Sequence, residues 1–138
     1  MKLYICMWVR GQPGCEVSLE DVNANKLYAI GVATQLRDLV EPYHEIICPH
    51  QDTVLDKIDH LWLETRDSRL VPMAMERCID LLSNCDGIII FHRGYLSEGM
   101  QHEKKFAEDN GMFIYEAHDL CDEIKEDLVC AINEVDSP

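Results

Sequence analysis

The sequence predicts an α/β protein built on a small doubly wound parallel sheet of four to five strands, with helices on both faces. Short apolar runs rich in β-branched residues alternate along the chain with stretches of helical periodicity. The strand runs are apolar at consecutive positions, which is typical of strands buried on both faces in parallel sheets. Because crossovers between parallel strands are right-handed, the simplest strand order is 2-1-3-4. This is a flavodoxin- or Rossmann-like arrangement.

The first half of the chain contributes two strands and two helices. Residues 2–9 are apolar at nearly every position and predict a central strand. A long helix is expected from about Leu19, and Pro42 ends it. Residues 45–48 predict a short second strand, after which Asp52 is a suitable N-cap for the next helix.

The second half begins with a helix in which Pro72 suits the first position. Residues 88–91 are all β-branched or aromatic and predict a third strand, buried on both faces. Ser97 is a good N-cap for the helix that follows, and Gly111 predicts the end of that helix.

A fourth strand at residues 112–115 and a last helix from about Asp119 complete the pattern. The chain has 138 residues, of which 47% are hydrophobic and 28% are charged. That length is enough for one domain with a core of its own and too short for two. We therefore expect residues 1–138 to form a single domain.

Charge and hydropathy narrow the classes of partner. The formal net charge of −14 disfavours nucleic-acid polymers and anionic membranes, which are bound by basic surfaces. No apolar run approaches membrane length, and the N-terminus reads as a strand instead of a signal peptide, so a cytoplasmic location is expected. A small anionic ligand remains compatible with the charge if a few positive groups converge on one pocket.

The seven cysteines do not form a recognisable metal or redox motif. No Cys-x-x-Cys pair occurs, which disfavours a zinc ribbon and a thioredoxin-like site. Several of these cysteines fall in predicted strands or on apolar helix faces, where a free thiol behaves as a small hydrophobe. We expect reduced thiols, no metal site and no cofactor.

Glu103 is the strongest candidate for chemistry. It falls on the apolar stripe of the helix capped by Ser97, beyond the carboxyl end of a central strand, where open α/β sheets bind ligands. A carboxylate on the core side of a helix requires partners or a function. Two interpretations stay open: a functional carboxylate, or an ion pair with Arg10 or Arg93.

The loops after the first and third strands are expected to meet at this edge of the sheet. They supply Arg10 and Gly11 from one side, and Arg93, Ser97 and Gly99 from the other. Arginine, a serine hydroxyl and a helix N-terminus together suit a phosphate group.

Two motifs resemble those of the nucleoside 2-deoxyribosyltransferase superfamily, most closely its deoxynucleoside-monophosphate N-glycosidase branch. The first motif is the opening strand and loop, from Tyr4 through Arg10-Gly11. The second is a strand after Asp86, then Ser97-x-Gly99 and a glutamate six residues after the serine. Related uncharacterised, often phage-encoded, proteins share this pattern.

The resemblance implies cleavage or transfer at the N-glycosidic bond of a nucleoside or nucleotide, through a covalent glycosyl intermediate on a glutamate. It implies no cofactor, and an assembly of identical subunits. In this interpretation Glu103 is the nucleophile and Tyr4 orients it. The residues that would hold the substrate are Cys6, Arg10, Gly11, Ser97 and Gly99.

Two departures from the family pattern motivate an alternative. The family places an aspartate eight residues ahead of Asp86 to assist the leaving base, and this chain has Cys78 there. Glu76 and Asp80 are nearby substitutes, but their spacing puts them off the inward face of the helix. Met7 also replaces a family glycine. The alternatives are therefore an inactive nucleotide-binding module of the same fold, or an interaction protein that uses the acidic C-terminal helix.

Overall fold

The structure, a computed structural model, describes residues 1–7, 18–92 and 94–136, without the side chains of Leu19 and Asp136. Its strands are β1 (Lys2–Cys6), β2 (Glu45–Ile47), β3 (Gly87–Phe91) and β4 (Phe113–Ala117). Its α-helices are α1 (Leu19–Val40), α2 (Thr53–Thr65), α3 (Leu70–Ser83), α4 (Glu98–Asp109) and α5 (Asp122–Asp136), and a short 3₁₀ helix covers Pro49–Gln51.

The four strands form one parallel sheet in the order β2-β1-β3-β4, which confirms the predicted topology. The register places Cys6 beside Ile90, and Ile90 beside Glu116. Because alternate residues of a strand point to opposite faces, these three side chains share one face of the sheet.

Helices cover both faces of the sheet, as a doubly wound fold requires. On one face, Leu3 and Ile5 of β1 pack in a hydrophobic cluster with α1 and α5. On the other face, Tyr4 and Cys6 pack with α3 and α4. The same strand therefore supplies alternate side chains to two separate cores.

The predicted helix ends are largely confirmed, with two corrections. Ser97 caps α4, Asp52 caps α2, and Gly111 adopts the left-handed conformation (φ 63°) that ends α4. However, α3 begins at Leu70, so Pro72 lies third in the helix. Its missing N–H is tolerated there because the first-turn amides have no partner within the helix. The last helix begins at Asp122, three residues later than expected.

Charged side chains fix the positions of α2 and α3. Lys26 of α1 contacts Asp56 (3.0 Å) and the buried Asp59 (3.1 Å) of α2. Arg77 of α3 makes two hydrogen bonds (2.8 and 2.9 Å) to the carboxylate of Asp52, the N-cap of α2. A bidentate arginine is geometrically specific, so it holds α3 in one orientation beside α2.

The beginning of β3 is tied to β1 by Asp86, whose carboxylate accepts a hydrogen bond from the backbone N–H of Lys2 (2.7 Å). Asp86 thus satisfies a backbone donor at the start of the strand. Within the described ranges, no helix combines the length and apolar composition needed to cross a membrane.

Candidate active site

Glu103 lies in the second turn of α4, on the side that faces the sheet. Its neighbours on that side, Met100 one turn before and Ala107 one turn after, are both buried. The N-cap bond from the Met100 amide to Ser97 Oγ (3.3 Å) fixes the start of the helix and so the direction of this stripe. The periodicity therefore predicted the orientation of Glu103 correctly.

The carboxylate of Glu103 is surrounded by three hydrogen-bond donors from two other elements. The hydroxyl of Tyr4 donates to Oε1 of Glu103 at 3.2 Å. The thiols of Cys6 and Cys78 also donate to it. Tyr4 and Cys6 are 0% and 1% exposed, whereas Glu103 and Cys78 are partly exposed. The group comprising Tyr4, Cys6, Cys78 and Glu103 is called the carboxylate cluster below.

Burial controls the protonation of the cluster. Loss of solvent raises the pKa of Glu103 from 4.5 to about 7, and the hydrogen bonds from Cys6, Tyr4 and Cys78 oppose that rise. Burial, followed by the nearby Glu103 charge, raises the pKa of Tyr4 and of Cys6 well above their ordinary values. Both groups therefore remain protonated donors at neutral pH, while Glu103 titrates in the physiological range.

The ion-pair interpretation of Glu103 involved Arg10 and Arg93, and both lie outside the described residues. Within residues 1–7, 18–92 and 94–136, no cation pairs with Glu103. The partners that the structure places around it are neutral hydroxyl and thiol groups. Neutral donors leave the negative charge on the carboxylate uncompensated, which is consistent with its raised pKa.

The candidate substrate-binding residues divide into two groups. Ser97 and Gly99 stand at the N-terminus of α4, and a Cβ added to Gly99 would meet no atom of the described residues within 4 Å. Packing against the described part of the chain therefore does not require a glycine at position 99. Arg10 and Gly11 fall outside the described residues, and so does Arg93. Cys6 belongs to the carboxylate cluster and is fully buried beneath it.

Cys78 was noted from the sequence only as a departure from the family pattern, and the structure places it against Glu103. Counting back from Asp86 thus leads to a residue of α3 that lies beside Glu103. Glu76 and Asp80 instead line a cavity of about 420 Å³ between α3 and α4, together with Pro72, Met75, Ile79 and His102. Neither of these carboxylates is among the groups that hydrogen-bond to Glu103 in the described part of the chain.

Sequence reasoning missed a second polar group at the carboxyl ends of β3 and β4. Glu116 is bound by Lys104 of α4 and by His92, whose Nε2 lies 3.4 Å from Oε2 of Glu116. The amide of Gly94 donates to Nδ1 of His92 (3.2 Å), so His92 carries its proton on Nε2. The hydrogen bond from Lys104 lowers the pKa of Glu116, and burial opposes that change.

This second group connects α4 to the edge strand next to Glu103. Lys104 follows Glu103 directly, so its contact with Glu116 restrains the rotation of α4 about its axis. His118 Nδ1 donates to the carbonyl of His92 (3.0 Å) and ties the ends of the two strands together. Nothing in the sequence spacing of these residues indicates that they meet, because their contacts depend on the register of β3 and β4.

The described residues hold no group of three or more histidine, cysteine, aspartate or glutamate side chains arranged to bind a metal ion. Their six cysteines are free thiols. Comparisons of the chain with protein-family models, with curated proteins and with solved structures gave no match. The functional argument therefore rests on the α/β fold and on the contact between the buried Tyr4 and the partly exposed Glu103.

Proposed function

We propose that this protein cleaves or transfers the N-glycosidic bond of a nucleoside or nucleotide, with Glu103 as the nucleophile. The observation that supports this proposal most directly is the 3.2 Å hydrogen bond between Tyr4 Oη and Glu103 Oε1. A carboxylate held by a fully buried hydroxyl has a fixed position, as a nucleophile aimed at one carbon atom requires.

The reaction would proceed through two displacements. Breaking the bond between C1′ and the base generates an oxocarbenium-like state, and a carboxylate oxygen next to C1′ can trap it as an ester. Water would then release the sugar in a hydrolase, and a second base would accept it in a transferase. Tyr4 would hold one oxygen of Glu103 while the other oxygen attacks.

The protonation of Glu103 sets the pH at which this chemistry can run. A nucleophilic carboxylate must be ionised, and the pKa of Glu103 is raised to about 7 by burial. The active fraction of the enzyme should therefore increase as the pH rises through about 7. A bound substrate that places positive charge or hydrogen-bond donors next to Glu103 would stabilise the ionised carboxylate, and activity would then extend to lower pH.

The N-terminus of α4 is the proposed contact for the other end of the substrate. Ser97 Oγ accepts the Met100 amide and keeps its own proton for a phosphate oxygen. None of the described residues fills the space beside Gly99 in the first turn, where a helix dipole favours an anion. Arg10 and Gly11 are the further residues proposed to hold the 5′ end.

A second candidate is a nucleotide-binding module without turnover, and one observation favours it. The groups that contact Glu103 in the described chain are a phenol and two thiols, and no second carboxyl group is among them. Glycosidases ordinarily use a second carboxyl group as the acid. Such a module would be stabilised thermally by nucleotides without releasing base.

The deciding experiment is a panel of deoxynucleosides and deoxynucleoside monophosphates assayed for free base. We expect base release by the native chain, loss of at least about a thousandfold in kcat for Glu103→Gln, and a smaller loss for Tyr4→Phe. Glu108→Gln is the matched control, because Glu108 is an exposed glutamate on the same helix. No base release by the native chain across the panel, combined with thermal stabilisation by nucleotides, would establish the inactive module instead.

A further inference from the structure

The cavity between α3 and α4 is a groove with apolar and acidic walls, and none of the described members of the carboxylate cluster lines it. Its volume is about 420 Å³. Small-molecule sites in proteins usually occupy about 300–1,000 Å³, so the groove is large enough for a small ligand. The residues that line it are Pro72, Met75, Glu76, Ile79, Asp80 and His102.

The groove is elongated along α3. Its lining residues from Pro72 to Asp80 recur three and four positions apart, so they share one face of that helix. At about 1.5 Å per residue, this face is about 12 Å long. Met75 precedes Glu76, and Ile79 precedes Asp80 one turn later, so an apolar side chain accompanies each carboxylate. His102 lines the groove from α4.

Glu76 and Asp80 repel each other. They stand four positions apart on one helix, with their Cβ atoms about 5–6 Å apart, and like charges at this spacing destabilise a helix. Both residues are exposed. Among the described residues, neither carboxylate forms an ion pair. A cation placed between them would therefore remove an unfavourable interaction as well as add a favourable one.

The cations carried by the two helices are bound to other carboxylates. Arg77 binds Asp52, Lys104 binds Glu116, and Lys105 binds Asp109. The hydrogen bond to Asp52 raises the pKa of Arg77, burial opposes that rise, and the charge of Asp80 adds a smaller part to it. The acidic side of the groove is thus left for an external cation, which the net charge of −14 also attracts.

We propose that this groove binds an aliphatic polyamine, a methylene chain that carries two or more ammonium groups. The methylenes would cover Met75 and Ile79, and the ammonium groups would pair with Glu76 and Asp80. Both halves of the ligand are needed, because apolar contact and charge pairing occur on the same face of α3. The inference is independent of the chemistry proposed for Glu103.

Other occupants match only part of the groove. A Mg²⁺ ion would meet the carboxylates, but it gives up its water reluctantly and would leave Met75 and Ile79 uncovered. A neutral apolar molecule would shield Glu76 and Asp80 from water without pairing them, which costs free energy. A second copy of the chain carries the same charge of −14 and would add repulsion.

The test is isothermal calorimetry of the native chain and three variants with spermidine. We expect Glu76→Gln combined with Asp80→Asn to raise the Kd by about tenfold or more, because both charge pairs are lost. Met75→Gln keeps the charges and should raise the Kd by about threefold through loss of apolar contact. The matched control is Asp122→Asn combined with Glu126→Gln, which removes an exposed acidic pair of the same spacing from α5, on the other face of the sheet. Its Kd should stay within about twofold of the native value.

The result that would overturn the proposal takes one of three forms. No binding of spermidine at about 10 mM would exclude the site. Equal losses in the α3 and α5 double variants would show that spermidine is only a diffuse counterion of an acidic protein. If MgCl₂ displaces spermidine much more strongly than NaCl at the same ionic strength, the groove is a site for compact cations instead. None of these readouts involves base release, so they leave the proposed function untouched.

Discussion

The two faces of the sheet use the same strands for different purposes. Toward α1 and α5, β1 presents Leu3 and Ile5 to a hydrophobic core. Toward α3 and α4, the next residues along the same strand are Tyr4 and Cys6, and both donate hydrogen bonds to Glu103. Alternation along one strand thus places a hydrophobic core and a core that contains a carboxylate back to back.

The comparison shows how apolar and polar side chains are divided between the two faces of this sheet. Burial of the apolar face stabilises the fold in proportion to the buried area, and truncating its side chains lowers the free energy of unfolding. The face with the carboxylate cluster buries a group that prefers water, which lowers stability when that group is charged. The first face should therefore be sensitive to truncation, and the second to pH.

The largest expected effect is truncation of the apolar face. Leu36 of α1 is 0% exposed, and Leu36→Ala should reduce the free energy of unfolding by about 2–5 kcal/mol. Urea denaturation at pH 7 measures this change through the midpoint and slope of the transition. Base release per folded molecule should stay at the native level, because Leu36 lies on the opposite side of the sheet from Glu103. A fall in specific activity without loss of stability would refute the division between the faces.

The next effect is the pH dependence of stability. The pKa of Glu103 is about 7 in the folded chain and 4.5 as its ordinary value, so the folded chain holds the proton more tightly. Between pH 4.5 and 7, Glu103 is ionised in the unfolded chain but still protonated in the folded chain. The free energy of unfolding therefore falls as the pH rises through this range, and the loss is complete above pH 7. A difference of one pKa unit between the folded and unfolded chain corresponds to about 1.4 kcal/mol of stability. Because Glu103 is in partial contact with solvent, we expect its total effect on the free energy of unfolding to be about 2 kcal/mol.

Glu103→Gln removes this titration while keeping the size of the side chain. We expect the variant to gain about 2 kcal/mol over the native chain at about pH 8 and little at about pH 4, measured as the difference between two urea series. Glu108→Gln, on the exposed side of α4, should show no such difference. If the difference in free energy of unfolding between the native chain and Glu103→Gln is the same at both pH values, the pH dependence does not come from the carboxyl group of Glu103.

The smallest expected effect concerns the first turn of α4. Ser97→Ala removes the acceptor of the Met100 amide and should lower stability by about 1 kcal/mol, whereas Ser97→Asp preserves the cap. The two variants also separate capping from phosphate binding, because the carboxylate introduced by Ser97→Asp would repel a phosphate and weaken monophosphate binding more than nucleoside binding. Isothermal calorimetry with a nucleoside and its monophosphate measures this, and equal affinities for both ligands in all variants would exclude Ser97 from phosphate recognition.

The fold was predictable from local patterns. The strand order follows from the alternation of elements, and the inward side of α4 follows from a cap at Ser97 and a periodic stripe. The start of α3 was misplaced because proline suits any position of a first turn, and its presence does not fix which one.

The candidate site was predictable only in part. Tyr4 and Glu103 were expected to meet, but the contribution of the Cys6 and Cys78 thiols to the hydrogen bonding of Glu103 was not, because an inward cysteine looks like any small apolar residue in a sequence. The group of Lys104, Glu116 and His92 was missed entirely. Its members come together only through the pairing of β3 with β4, which no local pattern encodes.

Because the pKa of Glu103 is about 7, ligand binding near neutral pH is expected to be coupled to proton uptake or release. Near neutrality the chain exists as two species in comparable amounts, one protonated at Glu103 and one not. Any ligand that prefers one species must exchange protons with the buffer as it binds. The heat of binding would then depend on the ionisation enthalpy of the buffer, and the sign of that dependence reports which form of the acid the ligand selects.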